Sequence, residues 1–373
     1  MNFIELGINE DIVKVLKMNS IATPTPVQAE CIPLIKEGKD VIAQAQTGTG
    51  KTLAFLLPIF ESISPTIDTI QALIVTPTRE LALQITQEAL KLKVGKDINI
   101  LAAYGGKDIG SQLKKLKNGI HLVIATPGRL LDHIERKTID LSKLKTIVLD
   151  EADQLLLMGF KNDVEAIMHE TSPKRQTLCF SATLNSQVNK MAYRYMKDPI
   201  SITIKKEEIT LHNIKQFVVE TTDRGKQDAL CTVLDQDNPY MAIIFCRTKR
   251  RADELEIVLY KRKYDCKKIH SDVPQPKRER IMKAFKNGDF QYLIATDVAA
   301  RGLDIRGVSN IYNYDIPESA EEYIHRIGRT GRAGDEGYTC LFVDPKNNQT
   351  LEEIEKRIHF TIPRRNLDGG TNG

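Results

Sequence analysis

The sequence predicts an α/β protein made of two tandem doubly wound domains, each with a parallel sheet covered by helices on both faces. Short β-branched runs alternate with longer amphipathic stretches through nearly the whole chain. The short runs are almost continuously apolar, which is typical of parallel strands that are buried on both faces. The chain has 373 residues, which is about two domains at roughly 150 residues per domain.

The first half contains seven strand candidates separated by helical patterns. Amphipathic stretches at residues 79–93 and 112–117 are examples of the predicted helices. Because strands and helices alternate, each pair of strands requires a crossover connection and the sheet is expected to be parallel. The strand candidates are DVIAQA, ALIVTP, NILAAYG, HLVIATP, TIVLDEA, TLCFSAT and ISITI.

The second half repeats this rhythm after a polar, charged stretch at residues 205–213 that fits a short linker. We therefore predict domains at residues 1–204 and 213–362, a linker at 205–212 and a polar tail at 363–373. An internal similarity between HLVIATPGRLL (121–131) and QYLIATDVAARGL (291–303) favours a duplication. The second set of strand candidates is KQFVVE, MAIIFC, CKKIHSD, YLIATD, NIYNYD and TCLFVD.

Composition excludes several classes of protein. With 41% hydrophobic and 27% charged residues, the chain has the balance of a globular protein and not of collagen, a coiled coil or a disordered chain. No apolar run approaches the ~18 residues of a membrane span. The first ten residues carry no basic segment, so we see no signal peptide and expect a cytoplasmic protein without membrane association. The six cysteines lack C-x-x-C spacing, which favours reduced core thiols.

The net charge limits how a nucleic acid could be bound. The chain has 53 basic and 49 acidic residues, and residues 1–204 hold 24 and 22 of them, so each half carries only +2. A diffuse basic field would need a larger excess. Tryptophan is absent and aromatic residues are 6%, which argues against a base-stacking platform. Any nucleic-acid contacts must therefore be local and well placed.

The strongest motif is AQTGTGKT at residues 45–52, between a predicted strand and a predicted helix. This order of strand, glycine-rich loop and helix is the context of a phosphate-binding loop. Gly48 and Gly50 let backbone N–H groups surround phosphate oxygens, Lys51 reaches the outer phosphates and Thr52 can bind Mg²⁺. Ala45 stands where the usual pattern has its first glycine, and the alternative is a glycine-rich turn without a ligand.

A second motif supplies carboxylates. Asp150 and Glu151 end the apolar run TIVLDEAD, at the strand end where open α/β sheets bind ligands. Asp150 could hold Mg²⁺ through water, and Glu151 could orient or deprotonate an attacking water. The alternative is an acidic helix N-terminus, where such residues are common.

The second half has an arginine cluster and no second GxxxxGK. In YIHRIGRTGRAG, Arg326, Arg329 and Arg332 lie three residues apart. On a helix they would project from one side and, with His325, could reach an anion. A solvated basic helix face is the alternative. The embedded glycines favour close approach of the backbone to a ligand, so we predict arginine fingers that act across a cleft.

Four weaker clusters each follow a predicted strand: PTREL (77–81), YGG (104–106), TPGR (126–129) and ATDVAARGLD (295–304). Each combines Thr or Gly with, in most cases, Arg, a set that suits hydrogen bonds to a sugar-phosphate backbone. Ordinary turns and helix caps are the alternative for any one of them.

These motifs, in this order, resemble those of the DEAD-box ATP-dependent RNA helicases of superfamily 2. The resemblance extends over about residues 3–362 and includes the literal Asp150-Glu151-Ala152-Asp153. It implies two RecA-like domains, ATP and Mg²⁺ as nucleotide and metal, and RNA as a partner that is bound through its backbone with little sequence specificity. It further implies an RNA-dependent ATPase that unwinds short duplexes or remodels RNA–protein complexes, with ATP-driven closure of the domains. Roles in ribosome assembly and RNA turnover are both common in the family, and we expect a monomer.

The resemblance assigns roles to individual residues. Gln28 would read the adenine edge and Phe3 would stack on the ring, in a Q motif at TPTPVQ. Arg329 and Arg332 would be the arginine fingers, and the pair Gln275 and Arg278 matches a further motif. The nucleotide would also contact Gln46, Thr47, Gly48, Thr49, Gly50, Lys51, Thr52 and Asp304, the catalytic set would be Lys51, Asp150, Glu151, Arg329 and Arg332, and coupling would involve Ser181, Thr183 and His325.

The implied RNA contacts lie in both halves. They are Pro77, Thr78, Arg79, Gly106, Thr126, Arg129, Arg247, Thr296 and Asp297. Two alternatives stay open: an ATP-gated RNA clamp that does not unwind, and a DNA-directed helicase of the same superfamily. The sequence also departs from the family pattern at Ser20-Ile21, at Leu157 and at Ser271. After residue 342 one amphipathic stretch, 351–358, precedes the polar tail, so we expect a minimal core without an accessory domain.

Overall fold

The structure is a computed structural model that describes residues 2–46, 48–93, 96–106, 119–204, 214–300, 308–330 and 336–367. The chain divides into two compact units, Met1–Lys206 and Glu207–Gly373. The predicted linker at 205–212 lies outside the described residues.

The first unit alternates helices and strands along the chain. Its seven strands are β1 (Val41–Gln44), β2 (Ala72–Val75), β3 (Ile100–Ala103), β4 (Leu122–Ala125), β5 (Thr146–Leu149), β6 (Gln176–Ser181) and β7 (Ile200–Thr203). Its described helices are α1 (Glu10–Met18), α2 (Pro26–Lys36), α3 (Lys51–Ser62), α4 (Arg79–Leu92), α5 (Pro127–Glu135), α6 (Ala152–Leu157), α7 (Lys161–His169) and α8 (Ser186–Tyr195).

The seven strands form one parallel sheet in the order β3-β4-β2-β5-β6-β1-β7. Residues of β2, β4 and β5 are buried on both faces, which agrees with their unbroken apolar sequences. One apolar cluster lies on each side of the sheet, the first around Phe55 and Phe180 and the second around Leu149 and Ile167. The described residues of the motifs that follow these strands therefore lie at the same edge of the sheet, the carboxyl edge.

The second unit has six strands and six described α-helices. The strands are β8 (Ile214–Glu220), β9 (Ala242–Cys246), β10 (Cys266–Ile269), β11 (Tyr292–Thr296), β12 (Asn310–Asn313) and β13 (Gly337–Val343). The helices are α9 (Lys226–Asp237), α10 (Lys249–Lys261), α11 (Gln275–Lys286), α12 (Asp297–Ala300), α13 (Ala320–Ile327) and α14 (Asn348–Ile358), with a 3₁₀ turn at Pro345–Asn347.

The second sheet is also parallel and repeats the order of the first. Its strands run β10-β11-β9-β12-β13-β8, which is the order of the first sheet without the added β7. The two similar sequence segments contain β4 and β11. These strands occupy the same position in their sheets, next to the edge strands β3 and β10, as a duplication requires. All thirteen strand candidates form strands, and the predicted class of two doubly wound parallel sheets is confirmed.

Other predicted features have mixed outcomes. The amphipathic stretch at 79–93 forms α4, and that at 351–358 lies within α14, whereas residues 112–117 lie outside the described residues. All six cysteines are buried and free, and burial raises the pKa of Cys31 to about 12, which keeps the thiol protonated. In the part of the chain that the structure describes, no helix has the length and apolarity needed to cross a membrane.

Candidate functional site

The loop after β1 has the backbone shape of a phosphate cradle. Gly48 and Gly50 have φ angles of 87° and 93°, a left-handed conformation that glycine adopts readily. A Cβ on Gly50 would lie 2.4 Å from Nε2 of Gln28, so space as well as conformation requires glycine there. The Thr49 hydroxyl donates to the Gln46 carbonyl at 2.7 Å. Because α3 begins at Lys51, the first N–H groups of the helix face this loop.

Lys51 is buried, and its ammonium has no hydrogen-bond partner among the described residues. The residue is 6% exposed. A buried charge without a partner is costly, which indicates that an anionic group belongs beside it. A phosphate fits this requirement. The half-buried Thr52 follows in the first turn of α3, where its hydroxyl could serve Mg²⁺.

Asp150 follows β5 at the same edge of the sheet and is 3% exposed. Its backbone N–H donates to the Val75 carbonyl at 3.0 Å, and its Oδ1 accepts from the Glu151 N–H at 2.9 Å. Burial raises the pKa of this carboxyl, while Lys51 and the Glu151 N–H lower it and Asp153 raises it. A divalent cation would favour the charged form, so Asp150 fits a magnesium site.

Glu151 has an unusual backbone conformation at the start of α6. Its φ is 50° and its ψ is 51°, a left-handed region that costs about 1–3 kcal/mol for a residue with a side chain. The side chain is 7% exposed. Strained backbone of this kind is common at functional sites.

Hydrogen bonds connect the fourth residue of the DEAD motif to β6. The Asp153 N–H donates to Ser181 Oγ at 3.3 Å, and Thr183 Oγ1 donates to Asp153 Oδ2 at 3.2 Å. The Ser181 hydroxyl in turn donates to the Thr183 carbonyl at 2.7 Å. A shift of the carboxylate motif would therefore be transmitted to residues 181–183, which agrees with the coupling role that the family resemblance implies.

The two adenine-binding candidates occupy different environments. Gln28 is 2% exposed; its Oε1 accepts from the Thr25 N–H and its Nε2 donates to the Gly50 carbonyl, both at 3.0 Å. It therefore connects α2 to the phosphate loop. Phe3 is 1% exposed and packs in the first apolar cluster, where little of its ring is accessible. Its stacking on adenine stays a prediction.

The RNA-binding candidates of the first unit lie after β2, β3 and β4. Thr78 caps α4 and accepts from the Leu81 N–H at 3.2 Å, and Arg79 lies against Gly105, where a Cβ would be 3.0 Å from its Nη2. Pro77 is buried, Gly106 is exposed with a φ of 84°, Thr126 caps α5, and Arg129 lies 3.7 Å from Asp132. All of these residues follow parallel strands and therefore lie at the carboxyl edge of the first sheet.

The candidates of the second unit differ in exposure. Arg247 follows β9 and is exposed. Thr296 ends β11 and is 7% exposed. Asp297 begins α12, and both of its carboxylate oxygens accept from Arg326, at 2.6 and 2.7 Å. Gln275 and Arg278, in the first turn of α11, are both buried.

The predicted helical fork of arginines is wrong. The helix α13 ends at Ile327 with Gly328 as its cap, and Arg329 lies beyond it, because the glycine disfavours continuation of the helix. Arg326 is 3% exposed and is bound to Asp297, to Asn313 Oδ1 at 3.0 Å and to the Asp315 carbonyl at 2.7 Å. It therefore supports the fold and does not project toward a ligand. His325 and Arg329 are half-buried.

Three of the assigned residues, Thr47, Asp304 and Arg332, lie outside the described residues. Sequence reasoning also missed functional candidates that the structure reveals. Asp315 and Lys226 are buried at the carboxyl edge of the second sheet, with 5% and 3% exposure. For Asp315, the available signal was a charged residue two positions beyond a buried strand, in NYD.

Comparison with known proteins identifies both halves of the chain. Residues 25–191 match the DEAD/DEAH box helicase family and residues 225–334 match the helicase conserved C-terminal domain. The chain is 47% identical to the DEAD-box ATP-dependent RNA helicase CshA of Bacillus cereus over 97% of its own length and 69% of that protein. It is 46% identical to the protein of the same name from Bacillus subtilis, over 98% of its length and 74% of that protein.

Solved structures agree with this match. The structure of S. cerevisiae Dbp5 bound to RNA and ADP BeF3 has a TM-score of 0.89 and 30% identity, over 98% of this chain and 96% of that one. Mss116p bound to single-stranded RNA and AMP-PNP has a TM-score of 0.85 and 33% identity, over 96% and 78%. The architecture therefore matches proteins that bind both a nucleotide and RNA.

Proposed function

The chain belongs to the DEAD-box family of ATP-dependent RNA helicases, and from this premise we propose that it hydrolyses ATP in an RNA-dependent manner and unwinds short RNA duplexes locally. Lys51 carries this proposal, because its buried ammonium lacks a hydrogen-bond partner among the described residues and lies in the electrostatic range of Asp150. An ATP phosphate would supply the missing negative charge. Mg²⁺, held through Thr52 and Asp150, would neutralise charge on the phosphates.

The proposed reaction divides the work among the first unit's residues. Lys51 and the backbone N–H groups of the loop bind the phosphates. Glu151 orients the attacking water and accepts its proton. The bonds from Asp153 to Ser181 and Thr183 carry the change in the carboxylate motif toward the rest of the domain. Arg329, with Arg332, would stabilise charge on the transferred phosphoryl group once ATP and RNA close the domains.

RNA binding is proposed for the carboxyl-edge residues of both units. The side chains and amides at Thr78, Arg79, Gly106, Thr126, Arg129, Arg247 and Thr296 are suited to phosphate and ribose contacts, which position an RNA without reading its sequence. Asp297 would act through Arg326, because both of its carboxylate oxygens accept from that guanidinium and an ionised carboxylate has no donor for a phosphate. Few cations take part, so the small net charge of each half is sufficient.

The phosphate-loop lysine gives the first test. Lys51→Ala should lower RNA-stimulated phosphate release by more than about 100-fold, because the phosphate loses its charged partner. The exposed Lys39→Ala is a matched control and should keep wild-type turnover. Glu151→Gln should retain ATP binding and accumulate a long-lived ATP–RNA complex without phosphate release. Wild-type turnover in Lys51→Ala or Glu151→Gln would refute the ATPase assignment.

The same preparations distinguish the remaining alternatives. Displacement of one strand from a short RNA duplex should require ATP, whereas a clamp would hold RNA without displacement. Matched RNA and DNA oligonucleotides should differ in ATPase stimulation, because contacts to the 2′-OH are available only in RNA. Arg329→Ala should lose hydrolysis more than ATP affinity; equal losses would contradict the finger role.

A further inference from the structure

A group of four charged side chains lies at the carboxyl edge of the second sheet, and two of them, Asp315 and Lys226, are buried. Asp315 follows β12, and its side chain is 7% exposed. Its Oδ1 lies 3.6 Å from Nζ of Lys226, whose side chain is 3% exposed, and its Oδ2 lies 2.9 Å from Nε of Arg251. Arg251 also donates to both oxygens of Asp223, at 3.0 and 3.3 Å. The group thus contains two cations, Lys226 and Arg251, and two carboxylates, Asp223 and Asp315, so its net charge is zero.

An aromatic ring lies close to both cations of this group. The centroid of the Tyr314 ring lies 5.9 Å from Nζ of Lys226 and 5.2 Å from Cζ of Arg251. Burial lowers the pKa of Lys226, and Asp315 acts against that shift. Buried ion pairs contribute less to stability than their Coulomb attraction suggests, because desolvation opposes it. A group of this kind at a strand end therefore calls for a role beyond stability.

The group holds the exposed arginine at the end of β9. Asp315 Oδ2 accepts a hydrogen bond from the Arg247 backbone N–H at 3.0 Å, and the Arg247 guanidinium donates to the Ile316 carbonyl at 3.2 Å. Residues 315–316 thus fix both ends of Arg247. The Asp315 carbonyl also accepts from Arg326 at 2.7 Å. Displacement of this carboxylate would let Arg247 move.

We propose that Asp315 and Lys226 are positioning residues for RNA binding: the lysine holds the carboxylate in place, and the carboxylate fixes Arg247 in the orientation that meets an RNA phosphate. This rests on the proposed function, in which Arg247 contacts RNA. Pre-positioning matters because a free arginine loses rotamer entropy when it binds. A fixed one has already lost it on folding.

The test uses the full chain and measures ATPase activity as a function of RNA and of ATP concentration. Asp315→Asn keeps the shape of the side chain and removes its charge; it should raise the KM for RNA roughly tenfold, with little change in kcat at saturating RNA or in the KM for ATP. Lys226→Met leaves Asp315 paired with Arg251 and should raise the KM for RNA less. Arg250→Gln breaks an exposed pair with Glu254 on α10 and should change neither constant.

A double variant separates positioning from general support of the fold. If Asp315 acts through Arg247, the KM for RNA of Arg247→Ala should not rise further when Asp315→Asn is added. Multiplying effects, or an equal rise in the KM for ATP, would overturn the proposal. If Asp315→Asn does not fold, Lys226→Met combined with Arg247→Ala provides the same comparison.

The proposal and its premise can fail separately. An unchanged KM for RNA in Arg247→Ala would refute the RNA role of Arg247 in the proposed function. A raised KM in Arg247→Ala with an unchanged KM in both Asp315→Asn and Lys226→Met would refute the positioning role alone.

Discussion

The two domains share a backbone plan and differ in where their buried charges find partners. The corresponding strands β1 and β8 each lead through a short loop to a helix that begins with a buried lysine. These lysines are Lys51 in α3 and Lys226 in α9. The loops start alike: the Ala45 N–H donates to the β6 strand at 3.0 Å, and the Thr221 N–H donates to the β13 strand at 2.9 Å. From there to the lysine the first loop has six residues, 45–50, and the second has five, 221–225.

The carboxylates that face these lysines also occupy matching positions. Asp150 follows β5 and Asp315 follows the corresponding strand β12. Their backbone N–H groups donate to carbonyls of the neighbouring strands β2 and β9, at Val75 (3.0 Å) and Phe245 (3.2 Å). Among the described residues, the Asp150 carboxylate accepts only from the Glu151 N–H. Asp315 instead has two cations and the Arg247 N–H.

The proposed phosphate site therefore contains a lysine and a carboxylate that, among the described residues, make no direct ion pair with another side chain. The second loop closes on itself, since the Gly225 N–H donates to the Thr222 carbonyl at 3.0 Å, and Gly225 has a φ of −82° in contrast to 93° at Gly50. In the second domain, Lys226 and Asp315 have charged partners within the domain. The first leaves Lys51 and Asp150 without such partners among its described residues, as the proposed nucleotide site requires, at a cost in stability.

The largest expected effect is an opposite change in stability at the two aspartates. Asp315→Asn should lower the free energy of unfolding by about 3 kcal/mol, because it leaves a buried cation without its charge partner. Asp150→Asn should raise it in the nucleotide-free, magnesium-free protein, because burial raises the pKa of this carboxyl by more than the charge of Lys51 lowers it. Urea denaturation with both variants measures this. A change of the same sign at both positions would contradict the comparison.

A smaller effect should appear in the pH dependence of the first domain. The folded-state pKa of Asp150 is raised from 3.8 by burial, so its protonated form is favoured on folding, and that contribution is lost as pH rises through the folded pKa. The advantage of Asp150→Asn over wild type should therefore be largest near neutral pH and shrink as the pH falls toward 4. The exposed Glu135→Gln is the control. An advantage that grows on acidification would exclude this explanation.

The smallest effect concerns strain away from the site. Ser20 follows the cap of α1 with a φ of 61°, and the Ile21 N–H donates to the Leu16 carbonyl at 2.9 Å, which is the helix ending that favours glycine. Ser20→Gly should stabilise the first domain by up to about 1 kcal/mol without loss of ATPase activity, unlike Asp150→Asn. Ser20→Ala keeps the Cβ and should show no gain. Thermal unfolding and phosphate release measure both.

Much of this fold was predictable because its signals are local. Thirteen apolar runs became strands, and the similarity between 121–131 and 291–303 placed Thr126 and Thr296 at the ends of corresponding strands. The phosphate loop and the Asp150-Glu151 pair were also readable, because each is a contiguous segment next to a strand. The arginine fork failed because spacing alone assumed a continuous helix, whereas Gly328 ends it.

Strands, helices and contiguous motifs could be predicted from the sequence, since periodicity and loop chemistry act over a few residues. The partners of the charged residues could not, because they lie far apart along the chain. Asp297 meets Arg326 across 29 residues, and Asp315 meets Arg247 across 68. These residues meet because the order of strands in the sheet places the ends of β9, β11 and β12 side by side. No local pattern in the sequence predicts that order.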